Sequence, residues 1–367
     1  MSANVRVFES YGLQRGATCG VCHQCGERFG KALNELLGNE KTHLVVGPTV
    51  FVFWTIKETD FDLLSYFSRP TAEDVKALLT SYRRGRDAGF PDEDQVRFNV
   101  AVLSAGGGRA IVRDFDNTTI EVAKRRLAEW FALTAQVNEW GESGQPLGLY
   151  QLAAAPFRDP TKQMPPHLPT ILVKAALYGS RPLPLWPLSL ALSRCKVGGT
   201  IVRGRKVSAV THAQAALLKA VLASSTPGRE DYMSKLDTSE TSVAYLCGRL
   251  FAVLEVIQRR AIPGINATVV DKYFASASTA PASVFGKLLS DAQPHLSKLR
   301  KSSEGAYQAL EARLEEVLAP IEEFPATLSL RDQALFSLGF YHQRATDRAA
   351  RKAAKEAANA DATQTEE

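Results

Sequence analysis

Residues 97–137 read RFNVAVLSAGGGRAIVRDFDNTTIEVAKRRLAEWFALTAQV, and two periodicities meet inside them. From Arg97 to Leu103 the apolar side chains Phe98, Val100 and Val102 alternate with their neighbours, the period of a strand with one buried face. Ala110 to Phe115 answers that strand across Ala105-Gly106-Gly107-Gly108, so the pair is predicted to be a hairpin. From Thr119 to about Val137 the period lengthens, and Ile120, Ala123, Leu127 and Trp130 fall on one helical stripe. A hairpin that runs directly into an amphipathic helix points to an α+β fold.

The N-terminal side continues this mixture. A Cys-rich turn precedes a short helix expected over Phe29 to Leu37, with Ala32, Leu33, Leu36 and Leu37 at helical spacing. Thr42 to Val46 and Val50 to Ile56 are β-branched and aromatic, and Gly47-Pro48 breaks them into a second hairpin-like pair. Thr71 to Tyr82 opens with Thr-Ala-Glu-Asp, a capped helix start with acids in its first turn.

On the C-terminal side the character changes at Gly141. Residues 141–169 are rich in Gly and Pro and are expected to include a linker. Beyond them the patterns are almost purely helical: Leu168 to Tyr178, Leu185 to Arg194, His212 to Leu222, and everything from Thr241 onward. Leu246, Leu250, Leu254 and Ile257 form one face, Leu310, Leu314, Val317 and Ile321 another, and a last helix is expected from Leu330 to about Ala345. Arg351 to Glu367 is small, charged and nearly free of large apolar residues, as expected of a frayed helix or disordered tail. The expected division is a mixed α/β portion (1–140), a basic and mainly helical region (141–232), a C-terminal helical bundle (233–350) and a flexible tail (351–367).

Composition bounds the function. With 45% apolar and 23% charged residues the chain has the make-up of an ordinary globular protein, and 367 residues can bury a core without disulfides. No apolar run reaches the length of a membrane span, Met1 to Glu9 lack a signal-peptide plan, and five cysteines do not pair off. A cytoplasmic setting is expected.

Charge is uneven. Residues 1–232 carry a net +6 and residues 233–367 a net −1. Between Asp159 and Glu230 lie Lys162, Lys174, Arg181, Arg194, Lys196, Arg203, Arg205, Lys206, Lys219 and Arg229, with no acid among them. Such a segment attracts polyanions, and the candidate nucleic-acid contacts are Lys174, Arg181, Arg194, Lys196, Arg203, Arg205, Lys206 and Lys219. The competing reading is that neighbouring segments supply the missing carboxylates and leave an ordinary surface.

Cys19-Gly-Val-Cys22-His-Gln-Cys25 is the densest cluster of metal-binding side chains. Thiolates at C-x2-C spacing can grip zinc, the one cofactor the sequence suggests, but a structural site needs four ligands and no second pair follows. Cys195 and Cys247 lie in apolar helical stretches and read as small buried hydrophobes. The triple glycine before Arg109 lacks the Lys-Ser/Thr and the following helix of a phosphate loop. Tyr341-His342 sits on an apolar helix and reads as a hydrogen-bonded core histidine. No side-chain pattern suited to catalysis is apparent, and the expectation is a non-enzyme. The alternatives are a metal-dependent nucleic-acid-processing enzyme built on Cys19, Cys22 and Cys25, and a purely structural bridging subunit.

Several blocks in order resemble one family. They are Ser10-Tyr11-Gly12 with Ala32 to Leu37; Val52-Phe53-Trp54; Arg97-Phe98-Asn99-Val100 through Arg113-Asp114-Phe115; Pro165 to Leu168; and Gln214 to Ala220. The most specific are Ala244 to Glu255 (AYLCGRLFAVLE), Gly264 to Thr268 and Tyr273 to Ser278, and near the end Gln333 to Arg344 (QALFSLGFYHQR) completes the set. Together they resemble the large subunit of the type I-C CRISPR Cascade over roughly residues 8–344. Members of that family are usually longer, so the resemblance implies a chain that lacks much of the family's N-terminal region. Their cysteine content at the position of Cys19 to Cys25 is often nil.

The resemblance implies a subunit of an RNA-guided antiviral complex, with other Cascade subunits carrying CRISPR RNA, target DNA with its displaced strand, and a helicase-nuclease as partners. Base pairing reads sequence in such complexes, while protein surfaces hold backbones. It implies R-loop stabilisation without cleavage, and no membrane partner. It also implies a small subunit made by internal translation, for which Met233 is the suitably placed start.

Overall fold

The computed structural model describes residues 12, 20–88, 95–106, 109–179, 182–197, 201–202, 205–206, 208–225 and 233–364. The architecture is α+β, as the periodicities indicate: a small antiparallel sheet near the N-terminus and a long helical remainder.

Helix α1 (His23–Gly38) leads into β1 (His43–Val46) and β2 (Thr49–Thr55), joined through Gly47 at a φ of +57° that favours glycine. After α2 (Leu63–Ser68) and α3 (Ala72–Ala88) come β3 (Arg97–Gly106) and β4 (Arg109–Thr119), giving the order β1-β2-β3-β4. Phe51 lies opposite Val102 and Phe53 opposite Val100, so alternate residues of two strands build one apolar face. Helix α4 (Ile120–Thr134) closes over the same core with Ile120, Ala123, Leu127 and Trp130, all buried. Its start is set by Thr119, whose hydroxyl accepts the Val122 N–H. The second strand of the hairpin runs four residues beyond Phe115, and a register shift at Val102/Leu103 accommodates its length.

The Gly/Pro-rich segment expected to hold a linker is instead packed. Leu147, Leu149, Leu152 and Ala153 belong to the core, and the segment forms α5 (Leu149–Ala154) and α6 (Pro160–Gln163). Its glycines serve close approach: a Cβ on Gly148 would collide with the Ser68 carbonyl, and one on Gly144 with the Gln136 carbonyl and the His212 ring. Then follow α7 (His167–Tyr178), α8 (Trp186–Lys196), a two-stranded ribbon of β5 (Ile201–Val202) and β6 (Arg205–Lys206), and α9 (His212–Ala223). Every residue of α9 from Gln214 to Ala223 is buried.

The C-terminal bundle is built around α10 (Val243–Ala261), which packs against α12 (Phe285–Ser302), α13 (Glu304–Leu318) and above all α14 (Leu330–Gln364). Between α10 and α12 lie α11 (Val269–Ala277) and a 3-10 turn (Pro281–Ser283). Phe251 sits at the centre, its ring centroid 5.9 Å from Phe274, 5.8 Å from Phe336 and 5.9 Å from Phe340. Helix α14 continues through Gln364, well past the expected end near Ala345. Ala349, Ala350, Ala353 and Ala354 favour helix, and Arg348 and Lys352 tie it to Glu139 and Glu142 at 2.9 and 2.7 Å. No helix among the described residues is long and apolar enough to cross a membrane.

Candidate nucleic-acid interface

Among the described residues, the basic side chains of the acid-free segment are not all on the surface. Lys219 is fully buried in α9, and its ammonium donates to the carbonyls of Ala132 and Ala135 at 2.9 Å each. These carbonyls close the C-terminal end of α4, where a cation complements the helix dipole. Lys219 is therefore a structural residue, and its assignment as a nucleic-acid contact is corrected. Lys174 pairs with Asp114 of β4 at 2.9 Å, so a carboxylate absent from the segment arrives from the sheet. Lys196 donates to Gln333 at 2.8 Å, and burial lowers its basicity. Arg194 is half-buried in the last turn of α8. Arg205 and Lys206 form β6, opposite Val202 and Ile201. Arg181 and Arg203 lie outside the described residues.

Of the three clustered cysteines, Cys19 lies outside the described residues. Cys22 and Cys25 are exposed, and Cys22 sits at the N-cap of α1, its Sγ accepting the Cys25 N–H at 3.4 Å. That backbone donor, followed by the Cys25 thiol, lowers the Cys22 pKa. Among the described residues no three His, Cys, Asp or Glu side chains converge as metal ligands. Cys195 and Cys247 are buried, and burial pushes both thiols up to about 12. They pack as hydrophobes, as read.

A polar chain ties the mixed α/β portion to the C-terminal bundle. Gln136, just beyond α4, donates to the Met233 carbonyl at 2.6 Å and accepts from His342 Nε2 at 2.9 Å. His342 Nδ1 accepts the Tyr245 hydroxyl at 2.9 Å, and that oxygen accepts the Asp237 N–H at 3.3 Å. His342 is thus a satisfied core histidine. Burial, and then the charge of Lys219, holds its pKa down to about 3. Met233 is itself buried, with a left-handed φ of 56°.

A cleft of about 790 Å³ opens where residues 138–145, the start of α9, the end of α10 and α14 meet. Its walls carry Arg259, Arg344, Arg348 and Arg351 together with Trp140, which is 48% exposed. The guanidinium of Arg348 lies over the Trp140 ring, 5.5 Å from its centroid. Buried Glu255 holds Arg259 at 2.9 Å and Arg344 at 3.2 Å. The acid-free run gave no hint of this cluster, because residues 233–367 are nearly neutral. The readable signal was Arg344, Arg348 and Arg351 at i, i+4 and i+7, which share one helix face.

The family profile described as CRISPR-associated protein (Cas_Csd1) matches residues 1–347. The chain belongs to this family. The match runs through the sheet, the middle helices and the bundle, so the Cas_Csd1 region takes in the basic segment and most of the arginine-lined cleft. Two of the sequence blocks that carried the resemblance, Ala244 to Glu255 and Gln333 to Arg344, lie on α10 and α14, the two helices that pack most extensively on each other in this Cas_Csd1 chain. No curated protein matches the chain.

Proposed function

We propose that the chain is the non-catalytic large subunit of a type I-C Cascade, a cytoplasmic RNA-guided complex of antiviral defence. In this reading it contacts the CRISPR RNA-bearing subunits, steadies target DNA and the displaced strand of the R-loop, and offers a docking surface to the helicase-nuclease. The observation that carries the proposal is the family match over residues 1–347, which joins sheet and bundle in one member of a CRISPR-associated family. A protein in this role binds backbones without reading sequence, through arginines, lysines and stacking surfaces. Arg194, Arg205 and Lys206, with Arg181 and Arg203, remain the contacts proposed in the basic segment.

The test has two arms. Tagged Cascade subunits co-expressed with a CRISPR RNA should retain this chain through purification, and R-loop lifetime should fall when it is left out. Replacing Arg203, Arg205 and Lys206 together with Ala should flatten the log-affinity against log-salt slope for single-stranded DNA by roughly 2. A chain that neither co-purifies nor alters R-loop lifetime would refute the assignment; an unchanged slope would remove the ribbon from the DNA path.

A further inference from the structure

The cleft between α10 and α14 combines an exposed indole with the guanidinium groups of Arg259, Arg344, Arg348 and Arg351 and with the carboxylates of Glu139, Glu255, Asp271 and Asp347. Its carboxylates have partners within the chain. Glu139 pairs with Arg348 at 2.9 Å, Glu255 holds Arg259 and Arg344, and Asp347 binds Arg313 and Gln343 through Oδ1, while its buried Oδ2 has no hydrogen-bond partner among the described residues. Asp271 accepts the Thr268 N–H at 2.6 Å in a capping box. Arg351 lies on the cleft wall and Arg260 is its charged neighbour; both are exposed, and neither makes an ion pair or hydrogen bond among the described residues. Burial lowers the basicity of Arg351, and so do its like-charged neighbours Arg260, Arg348 and Arg259, with Asp347 opposing them. Crowded guanidinium groups of this kind are relieved by a bound anion.

An anion alone does not account for Trp140. This side chain keeps nearly half its surface exposed on a segment otherwise tied down at Val137, Glu139 and Glu142. A π-face beside arginines matches a ligand that alternates flat rings with phosphates. In a duplex the bases are stacked on each other and cannot reach such a ring, whereas an unpaired strand offers them.

We propose that this cleft is a contact site for single-stranded nucleic acid, in which Trp140 stacks on one base and Arg260 and Arg351 neutralise adjacent phosphates. The inference rests on the proposed nucleic-acid role of the chain and gives that role a second location, away from the basic segment.

The experiment is fluorescence anisotropy of a dye-labelled oligothymidylate with the whole chain over a series of salt concentrations. Trp140→Ala should weaken binding about tenfold, and Trp140→Phe should stay close to wild type, since a base–aromatic stack survives the exchange. An oligonucleotide carrying abasic positions throughout should bind wild type and Trp140→Ala alike. Arg260→Gln with Arg351→Gln should flatten the salt slope by about 1.4, and both residues are exposed and unpaired, so this variant stays folded. If wild type fails to bind the oligothymidylate at all, the nucleic-acid role itself falls. If wild type binds while Trp140→Ala and the double-arginine variant match it in affinity and slope, the cleft is overturned and the role stands. Displacement by polyglutamate at equal charge, as effective as by unlabelled oligothymidylate, would likewise overturn it in favour of an acidic protein partner.

Discussion

Gly248 of α10 and Gly339 of α14 occupy reciprocal positions at one helix crossing. A Cβ on Gly248 would fall inside the Phe336 carbonyl oxygen, and a Cβ on Gly339 inside that of Tyr245. Each glycine lets the opposite backbone approach, and the aromatic cluster of Phe251, Phe336 and Phe340 closes around the crossing. The tightest contact in the bundle is therefore backbone against backbone, where no side-chain rearrangement can relieve an added methyl group.

Gly248→Ala or Gly339→Ala should force α10 and α14 apart and cost about 3 kcal/mol or more, at the top of the range for overpacking. Gly286→Ala, at a helical position with nothing within 4 Å, is the control and should be neutral or slightly stabilising. Urea denaturation of the three variants decides it. Equal midpoints for Gly248→Ala and Gly286→Ala would show that the crossing tolerates a Cβ.

What the sequence made legible was periodicity, and what it hid was proximity. The alternation of Phe98, Val100 and Val102 and the stripe Ile120, Ala123, Leu127 and Trp130 are local patterns, and they survive in the structure as a buried strand face and a helix face. The absence of acids from Asp159 to Glu230 is a statement about chain order alone. Folding brings Asp114 to Lys174, while Trp140 and Arg348 meet across more than two hundred residues. Lys219 did carry a local warning. It stands alone in AQAALLKAVLA, apolar on every face, and a helix of that composition is buried all round.

Lys219→Met should accordingly act on stability and leave nucleic-acid binding alone. The ammonium makes two charge-assisted hydrogen bonds to the end of α4, and their loss takes that partner from the Ala135 carbonyl and leaves the Ala132 carbonyl only the Ala135 N–H at 3.4 Å, a cost of roughly 2 kcal/mol. The salt dependence of oligothymidylate binding, measured where the variant is folded, should match wild type. A flattened slope with normal stability would return Lys219 to the binding surface.

The Tyr245–His342–Gln136 chain gives stability a pH dependence whose sign is fixed. The His342 ring titrates near 6.5 in the unfolded chain and at about 3 in the folded one. Between those values the unfolded state binds the extra proton, so stability is fully present above pH 6.5 and is lost as the pH falls toward 3. The loss is up to about 1.4 kcal/mol per pH unit. Charged groups facing the ring are Lys219, which lowers its pKa further, and Asp237, which opposes that. His342→Gln should be less stable at pH 7 yet lose less stability than wild type between pH 6.5 and 5. Parallel urea midpoints for the two proteins over that interval would mean that His342 is already protonated in the folded state.

The last prediction concerns a product beginning at Met233. Such a fragment retains α10 to α14, the Phe251 cluster, the Gly248–Gly339 crossing and the pairing of buried Arg249 with Gln343 and Glu316. These contacts lie within the bundle and should let it fold. It loses what covers the other side of α14: helices α8 and α9, with Lys196 on Gln333, Ser208 on Arg344, and the segment that places the Val137 carbonyl on Tyr341 and Gln136 on His342. A folded fragment therefore exposes a side of α14 that is buried in the whole chain. The fragment 233–367 should show native helical circular dichroism, a melting temperature below that of the whole chain, and self-association that grows with concentration in light scattering. Supplying residues 1–232 in trans should suppress the association. A fragment that is monomeric at high concentration and melts with the whole chain would show that α14 needs no cover from the preceding regions.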